Sequence, residues 1–324
     1  MFICPKCKKA LQNYSVCSCG YEVNFINSIM QLTDLPDLVI DTDGDNYIGY
    51  EHIGKYYSGY DGTVTLSEKS VKIAQKIIEE TGNGVILDLG CGDGNFTIPL
   101  LSGGAHLIGG DISNGMMNII LEKAEYLKLD MSKLILCRMN AYDIPLEDKS
   151  VNAVISCSML HLNSNPKKII DEVYRVLKDG GKYICFEDSP NGNGDETDEF
   201  DNNEYHKMLN MFYKKYFDIL NSLGLHGRKY SWKFDKNEAC QKLFKDKKTV
   251  TIELPNIEIS TSFTYFYNRM KGRGYSILAA VPQKTHNEIF EKVDNEMKTE
   301  FGEDYTDCYY REYQKDIVMT LYIK

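Results

Sequence analysis

Between Val85 and Thr97 the sequence reads Val-Ile-Leu-Asp-Leu-Gly-Cys-Gly-Asp-Gly-Asn-Phe-Thr. An apolar run, Val85 to Leu89, carries one acid, Asp88, near its end, and glycines follow at alternate positions, Gly90, Gly92 and Gly94. The pattern predicts a buried strand, a tight turn and the start of a helix. Glycine has no Cβ and reaches positive φ without strain, so such a turn lets a ligand lie against the backbone. A second acid, Asp111, stands 23 residues after Asp88, just beyond another apolar run, Ala105 to Gly109. One carboxylate there can accept hydrogen bonds from both hydroxyls of a ribose. The chemistry implied is the binding of a nucleoside-containing cofactor. A nicotinamide dinucleotide would want Gly-x-Gly-x-x-Gly. Here the third glycine comes one position early, residue 95 is Asn, and an acid precedes the turn where a pyrophosphate would repel it.

A second group of reactive side chains lies at the start of the chain. Cys4-Pro-Lys-Cys7 and Cys17-Ser-Cys19-Gly20 are separated by a short polar stretch. A Cys-x-x-Cys turn places two thiolates on one side of a tetrahedral ion, and a second pair supplies the other two. Four sulfurs close the coordination shell, so Cys4, Cys7, Cys17 and Cys19 are expected to hold structural zinc. The segment is too short to build a core alone, and a metal would supply the missing folding energy. The alternatives are a redox pair or unliganded thiols, and the tight Cys-x-Cys spacing leaves open whether both Cys17 and Cys19 bind. The other six of the ten cysteines are scattered singly and read as small buried hydrophobes.

The elements that must position these residues can be read in order. Tyr21 to Leu32 predicts a strand and turn completing a small ribbon, so residues 1–32 form one module. Residues 33–66 are a linker and lead-in: an acidic connector, then a segment from Asn46 to Tyr60 with five tyrosines and His52. Ser67 to Glu80 has helical spacing at 71, 74, 77 and 78, and Gly82 can end it. Ser113 caps a helix bearing Met116, Met117, Ile120 and Ala124. Further strands are expected at 133–137, 151–156 and 182–187, with a helix from Pro166 capped by Asn165. Alternating strands and helices predict an α/β fold, a parallel sheet with helices on both faces. Its ligand should sit at the carboxyl ends of the strands, where Gly90–Gly94, Asp111, Asn140 and Ser156 converge. Residues 189–248 read as an insertion: an acidic stretch, then a helix over 205–223. Residues 249–324 read as C-terminal strands and a helix completing the sheet, with Ser262 to Asn268 β-prone.

Residues from about 47 to 188 resemble a class I S-adenosylmethionine-dependent methyltransferase of the methyltransferase type 11 kind. Asp88-Leu-Gly-Cys-Gly-Asp-Gly94 matches that family's Asp-x-Gly-x-Gly-x-Gly. The resemblance implies a Rossmann-like seven-stranded sheet and S-adenosylmethionine as cofactor. It places Asp88, Gly90, Cys91 and Gly92 at the amino-acid end of that cofactor, Asp111 on the ribose and Ile112 beside the adenine. Asn140-Ala141 stands where the family has Asp-Ala, the first residue accepting from the adenine amino group and the next amide donating to the ring. An amide carbonyl can still accept that bond. Cys4 to Leu32 resembles the zinc ribbon in front of some bacterial methyltransferases, the rRNA guanine methyltransferases among them. Residues 189–248 occupy the place of the family's lid.

The net charge of −10 argues against a polyanionic acceptor, because a nucleic-acid binder carries a basic face. A small-molecule acceptor methylated at O, N or S is therefore expected, with an rRNA or tRNA base as the alternative and a non-catalytic cofactor-binding protein as a second. Arg269, Lys271 and Arg273 would touch an anionic acceptor or simply balance the acidic stretch. If the nucleophile keeps its proton, a base is needed; the candidates are His161, His52 and Glu187. No apolar run is long enough to span a membrane and no signal peptide is recognisable, so a cytoplasmic location is expected. Nothing in the sequence sets the oligomeric state.

Overall fold

The computed structural model describes residues 1–35, 38–40, 46–48, 54, 57–186, 204–225, 234–254, 258–278, 281–313 and 316–324. At its centre β5 (Val85–Leu89), β6 (His106–Asp111), β7 (Leu134–Arg138), β8 (Val151–Ile155) and β9 (Leu177–Phe186) lie parallel. The chain runs outward from β5 through β6 to β7, returns to the other side of β5 for β8, and continues to β9. The reversal opens a crevice at the carboxyl ends of β5 and β8. Two later strands, β10 (Asp246–Ile252) and β13 (Ile317–Ile323), finish that side, β13 lying antiparallel between β9 and β10.

Both faces of these strands are covered, which explains their continuous apolar runs. Side chains alternate between faces. Leu87 and Leu89 pack with Val154 and Tyr183 against α4 (Pro166–Val176), whose Ile169, Ile170, Val173 and Val176 are fully buried. Ile86 packs with Ala153, Ile155 and Ile184 against α1 (Glu68–Thr81), α2 (Thr97–Ser102) and α3 (Asn114–Tyr126). The expected caps form: Ser67 accepts from the Ser70 N–H, Ser113 from Met116 and Asn165 from Lys168.

Two parts of the architecture differ from expectation. Among the described residues the sheet has nine strands, because β1 (Asn24–Ile26) and β2 (Ile29–Gln31) of the N-terminal module add to the seven expected. β2 runs parallel to β7, pairing Met30 with Cys137 and Gln31 with Arg138. The hairpin covers an edge that would otherwise leave a row of backbone groups unpaired.

The second difference is the extent of the region outside the sheet. Residues 258–313 do not simply complete it. β11 (Glu258–Ser262) pairs with β12 (Tyr309–Tyr313), and α7 (Phe263–Lys271) and α8 (Gln283–Phe301) share one apolar cluster with α5 (Glu204–Ser222). The β-prone run Ser262–Asn268 is helical: Ser262 caps α7, and Phe263, Phe266 and Met270 fall on one buried face. Phe266 meets Phe212 of α5 edge-on at 5.5 Å, a packing context that overrides intrinsic β propensity. The short helix Lys236–Gln241 (α6) packs instead on the sheet side, through Cys240. A separate pair, β3 (Leu38–Ile40) and β4 (Asn46–Ile48), lies in the linker.

Candidate functional site

Gly90, Gly92 and Gly94 all have positive φ, at 76°, 52° and 91°. The first and last also have no room for a side chain. A Cβ on Gly90 would meet Met159 at 2.9 Å, and one on Gly94 would meet Ile98 at 2.9 Å. The turn folds back onto the next strand: the Gly90 and Cys91 N–H groups both donate to the Gly110 carbonyl, at 2.7 and 3.1 Å. Gly92 donates to Asp111 Oδ2 at 2.9 Å, and Ser113 donates to Asp111 Oδ1 at 2.9 Å. The Ile112 backbone adds a third hydrogen bond to this carboxylate. Asp111 is half-buried at the end of β6, and its burial raises its pKa against the pull of those backbone bonds.

Asp88 lies at the foot of the turn, almost completely buried, and accepts from Thr97 Oγ1 at 2.6 Å. Burial pushes its carboxyl up to about 6; the Thr97 hydroxyl opposes that and the Asp111 charge adds to it. A buried acid of this kind favours a cationic partner. Cys91 is buried with its thiol raised far above the ordinary value, first by burial and then by Asp111 and Asp88, so it is a small packed side chain and not a nucleophile.

The remaining predicted residues among the described ones follow the carboxyl ends of β6, β7 and β8. Asn140 follows β7, and its Oδ1 accepts from the Tyr142 N–H at 3.0 Å. Ile112, beside Asp111, and Ala141, beside Asn140, are half-buried. Ser156 sits at the end of β8, but its hydroxyl is buried against the Tyr183 hydroxyl at 2.6 Å. His161 lies half-buried on the turn Leu160–Leu162, two residues after the Met159 that approaches Gly90. His52 and Glu187 lie outside the described residues, as does most of the acidic stretch after β9.

Three groups escape a reading by motif. Asp93, within the turn, is buried; it accepts from Lys123 Nζ of α3 at 2.8 Å and from Ser58 Oγ at 2.5 Å. Lys123 also donates to the Asp93 carbonyl at 2.9 Å and lies 5.7 Å from the Tyr60 ring centre. The lead-in segment is therefore fastened to the glycine turn. Lys123 falls three residues after Ile120 on the apolar stripe of α3, and that position is the signal that marks it as buried. Thr97, the partner of Asp88, opens α2, whose N-cap residue Phe96 makes no side-chain cap bond. Arg138, at the end of β7, is buried and donates to the Ile112 carbonyl at 2.9 Å.

Beyond Ser58 the chain borders a cavity of 630 Å³, lined by Gly59, Tyr60, Tyr265, Asn268, Arg269 and Lys271 together with Asn287, Phe290 and Glu291 of α8. The Arg269 guanidinium lies 4.8, 5.4 and 4.3 Å from the ring centres of Tyr57, Tyr265 and Tyr275. Arg273 is different: buried, it donates to Gln283 Oε1 and the Leu278 carbonyl and braces the link into α8.

The four N-terminal cysteines converge. Their sulfurs all lie within 4.8 Å of one another, with Cys4 to Cys19 at 3.7 Å and Cys7 to Cys17 at 3.3 Å. Four sulfurs at Zn–S distances of about 2.3 Å stand about 3.8 Å apart in a tetrahedron, so the arrangement fits a zinc ion, and both Cys17 and Cys19 belong to it.

The glycine turn, the acid that ends the next strand and the cysteine cluster can be set beside known proteins. Residues 87–185 match a family model described as a methyltransferase domain. The matched segment makes up less than a third of the chain. It contains Asp88, the glycine turn, Asp111, Asn140 and Ser156. Among curated proteins, the chain is 31% identical over 135 residues to a demethylmenaquinone methyltransferase of Clavibacter sepedonicus, covering 40% of this chain and 54% of that protein. It is 28% identical over 174 residues to a sterol 4-C-methyltransferase of Caenorhabditis elegans, covering 53% and 50%. The chain thus spans about half the length of the curated relatives it matches. Among solved structures, the YcgJ protein of Bacillus subtilis is similar at 16% identity and a TM-score of 0.46, covering 80% of this chain and 99% of that one.

Proposed function

We propose that the chain transfers a methyl group from S-adenosylmethionine to a small-molecule acceptor. The observation that carries the cofactor half is the clamp on Asp111. Gly92 and Ser113 each donate to one of its two oxygens where the glycine turn meets the end of β6, and Asp88 lies at the foot of the same turn. In this reading Asp111 receives the ribose hydroxyls and Asp88 favours the ammonium of the amino-acid end. Ile112 covers the adenine, and Asn140 accepts from its amino group through the lone pair that Tyr142 leaves free. Gly90 and Gly92 leave the backbone of the turn open to the cofactor, the Cys91 side chain between them being packed into the core, and Ser156 acts through Tyr183.

S-adenosylmethionine, when bound, supplies a methyl carbon activated by a positively charged sulfur. The chain's own residues then have to hold donor and acceptor in line and keep water out. Ser58, bonded to Asp93, ties Tyr57 and Tyr60 to the glycine turn, so the wall of the 630 Å³ cavity starts at the cofactor site. We assign that cavity to the acceptor, with the cluster of α5, α7 and α8 as the lid. His161 is the base we assign among the described residues, for an acceptor that keeps its proton at neutral pH. The cysteine cluster is read as a structural zinc site, closed by four thiolates.

Two things favour a small acceptor over RNA. The chain is acidic, at −10. The curated relatives carry demethylmenaquinone and a sterol in their names. The test is incubation of the protein with methyl-labelled cofactor and either total RNA or a protein-free metabolite extract. Label should enter a small organic product, and His161→Asn should slow its formation about 10²-fold. Label released from RNA by nuclease would overturn the preference for a small molecule.

A further inference from the structure

The cysteine module makes direct contact with both loops that, in the reading above, receive the adenosine of the cofactor. The first is the turn after β6. Arg138 spreads its guanidinium between the Ile112 carbonyl, at 2.9 Å, and the linker carbonyls of Thr33 and Leu35, at 3.4 and 2.6 Å. Gln31 of β2 exchanges amide hydrogen bonds with Asn114, at 2.9 and 3.2 Å. Asn114 begins α3, next to the Ser113 whose N–H holds Asp111.

The second loop follows Asn140. Ile3 donates to the Pro145 carbonyl at 3.0 Å, and Glu147 donates to the Met1 carbonyl at 2.8 Å. Phe2, between them, is fully buried in the sheet's apolar core. Lys8 forms an ion pair with Asp143. Cys4 and Cys7 are the chain neighbours of Ile3 and Lys8, so the ligand turn itself carries these contacts. On the far side α4 holds the same loop, Ile144 donating to Glu172 at 2.8 Å. The module is thus one of two walls that fix the loop.

We propose that the N-terminal cysteine module positions the adenosine half of the cofactor site, so that metal binding and cofactor binding are coupled. Arg138 is the positioning residue on one loop and the Phe2–Lys8 strap on the other. The physical basis is simple. Ordering a ligand loop costs conformational entropy. A module whose folding depends on its metal bears that cost only when loaded. By linkage the coupling is reciprocal: metal tightens cofactor binding, and cofactor tightens metal binding by the same factor. Site-to-site couplings of this kind span about 5- to 150-fold.

The proposal rests on the cofactor reading and is tested on the full chain by calorimetry with S-adenosylhomocysteine. Zinc-loaded protein is compared with protein stripped by a chelator and shown by circular dichroism to keep its fold. Stripping should weaken binding at least about fivefold, and added zinc should restore it. In the reverse direction, saturating S-adenosylhomocysteine should slow zinc release to a chromogenic chelator. If stripping unfolds the chain, Arg138→Met and Asp143→Asn, both loaded with zinc, decide. Each should bind S-adenosylhomocysteine more weakly at unchanged zinc content, with Arg138→Lys closer to wild type than Arg138→Met. Equal affinity in loaded and stripped folded protein, or in both loaded variants, overturns the proposal, as does zinc release indifferent to the ligand. Failure of the loaded wild type to bind S-adenosylhomocysteine is a separate result and overturns the cofactor reading itself.

Discussion

Burial at the foot of the glycine turn holds the Asp88 carboxyl up to about 6, with the Asp111 charge adding to the effect and Thr97 opposing it. A group whose folded pKa is raised keeps its proton in the native state after the unfolded chain has lost it. The ionised carboxylate therefore costs stability, and stability falls as the pH rises from about 4 to about 6. A cationic ligand reverses the preference, because an ammonium beside Asp88 favours the carboxylate. Below about pH 6 the ligand must first displace a proton. Affinity for S-adenosylhomocysteine should therefore be about tenfold weaker at pH 5 than at pH 7.5, and Asp88→Asn should flatten that dependence. Equal affinities at the two pH values in the wild type would remove Asp88 from the ammonium's place. At this scale most of the site was legible. Asp88, the glycines and Asp111 are marked by residue type and spacing alone. Thr97 and Arg138 were not, because they act through other groups and no spacing rule points to them.

At the scale of elements, the buried pair Asp93–Lys123 is what joins turn, helix α3 and lead-in. The two charges are close, at 2.8 Å, and both side chains are nearly buried. Removing one partner strands the other away from water, which typically costs about 3–5 kcal/mol. Lys123→Met should lower the unfolding free energy by about that much, read from the midpoint of urea denaturation at constant slope. A loss below about 1 kcal/mol, the worth of an exposed ion pair, would mean that Asp93 finds water instead. Helix ends were readable, since Ser67, Ser113 and Asn165 are cap residues at the right offsets. The segment Ser262–Asn268 was not. Its aromatic residues fit a strand by propensity, and only contact with α5, distant in sequence, makes it helical. His286 of α8 belongs to the same cluster. It is buried between the Tyr216 hydroxyl at 2.7 Å and the Lys271 carbonyl at 3.2 Å, and burial lowers its pKa to about 4, so it serves as a neutral bracket between helices.

Across the whole molecule the described residues form three units. The parallel sheet sets the acids, the cysteine module extends that sheet by two strands, and α5, α7 and α8 form an apolar cluster of their own. No helix among the described residues is long and apolar enough to cross a membrane. The alternation of strands and helices announced the sheet, because each strand is local in sequence. The joining of β2 to β7 was not foreseeable, since it pairs residues about a hundred positions apart. The division between sheet and lid was hidden for the same reason: two separate stretches, around 204–225 and 258–313, share one core. The most direct test of the whole arrangement is a calorimetric titration of S-adenosylhomocysteine into the wild type and Asp111→Ala. The expected result is stoichiometric binding to the wild type and a loss of about a hundredfold or more in the variant, since a hydrogen bond to a charged group contributes about 1.5–3 kcal/mol and the ribose would lose two. Equal binding by the two proteins, or none by the wild type, would contradict the cofactor site described above.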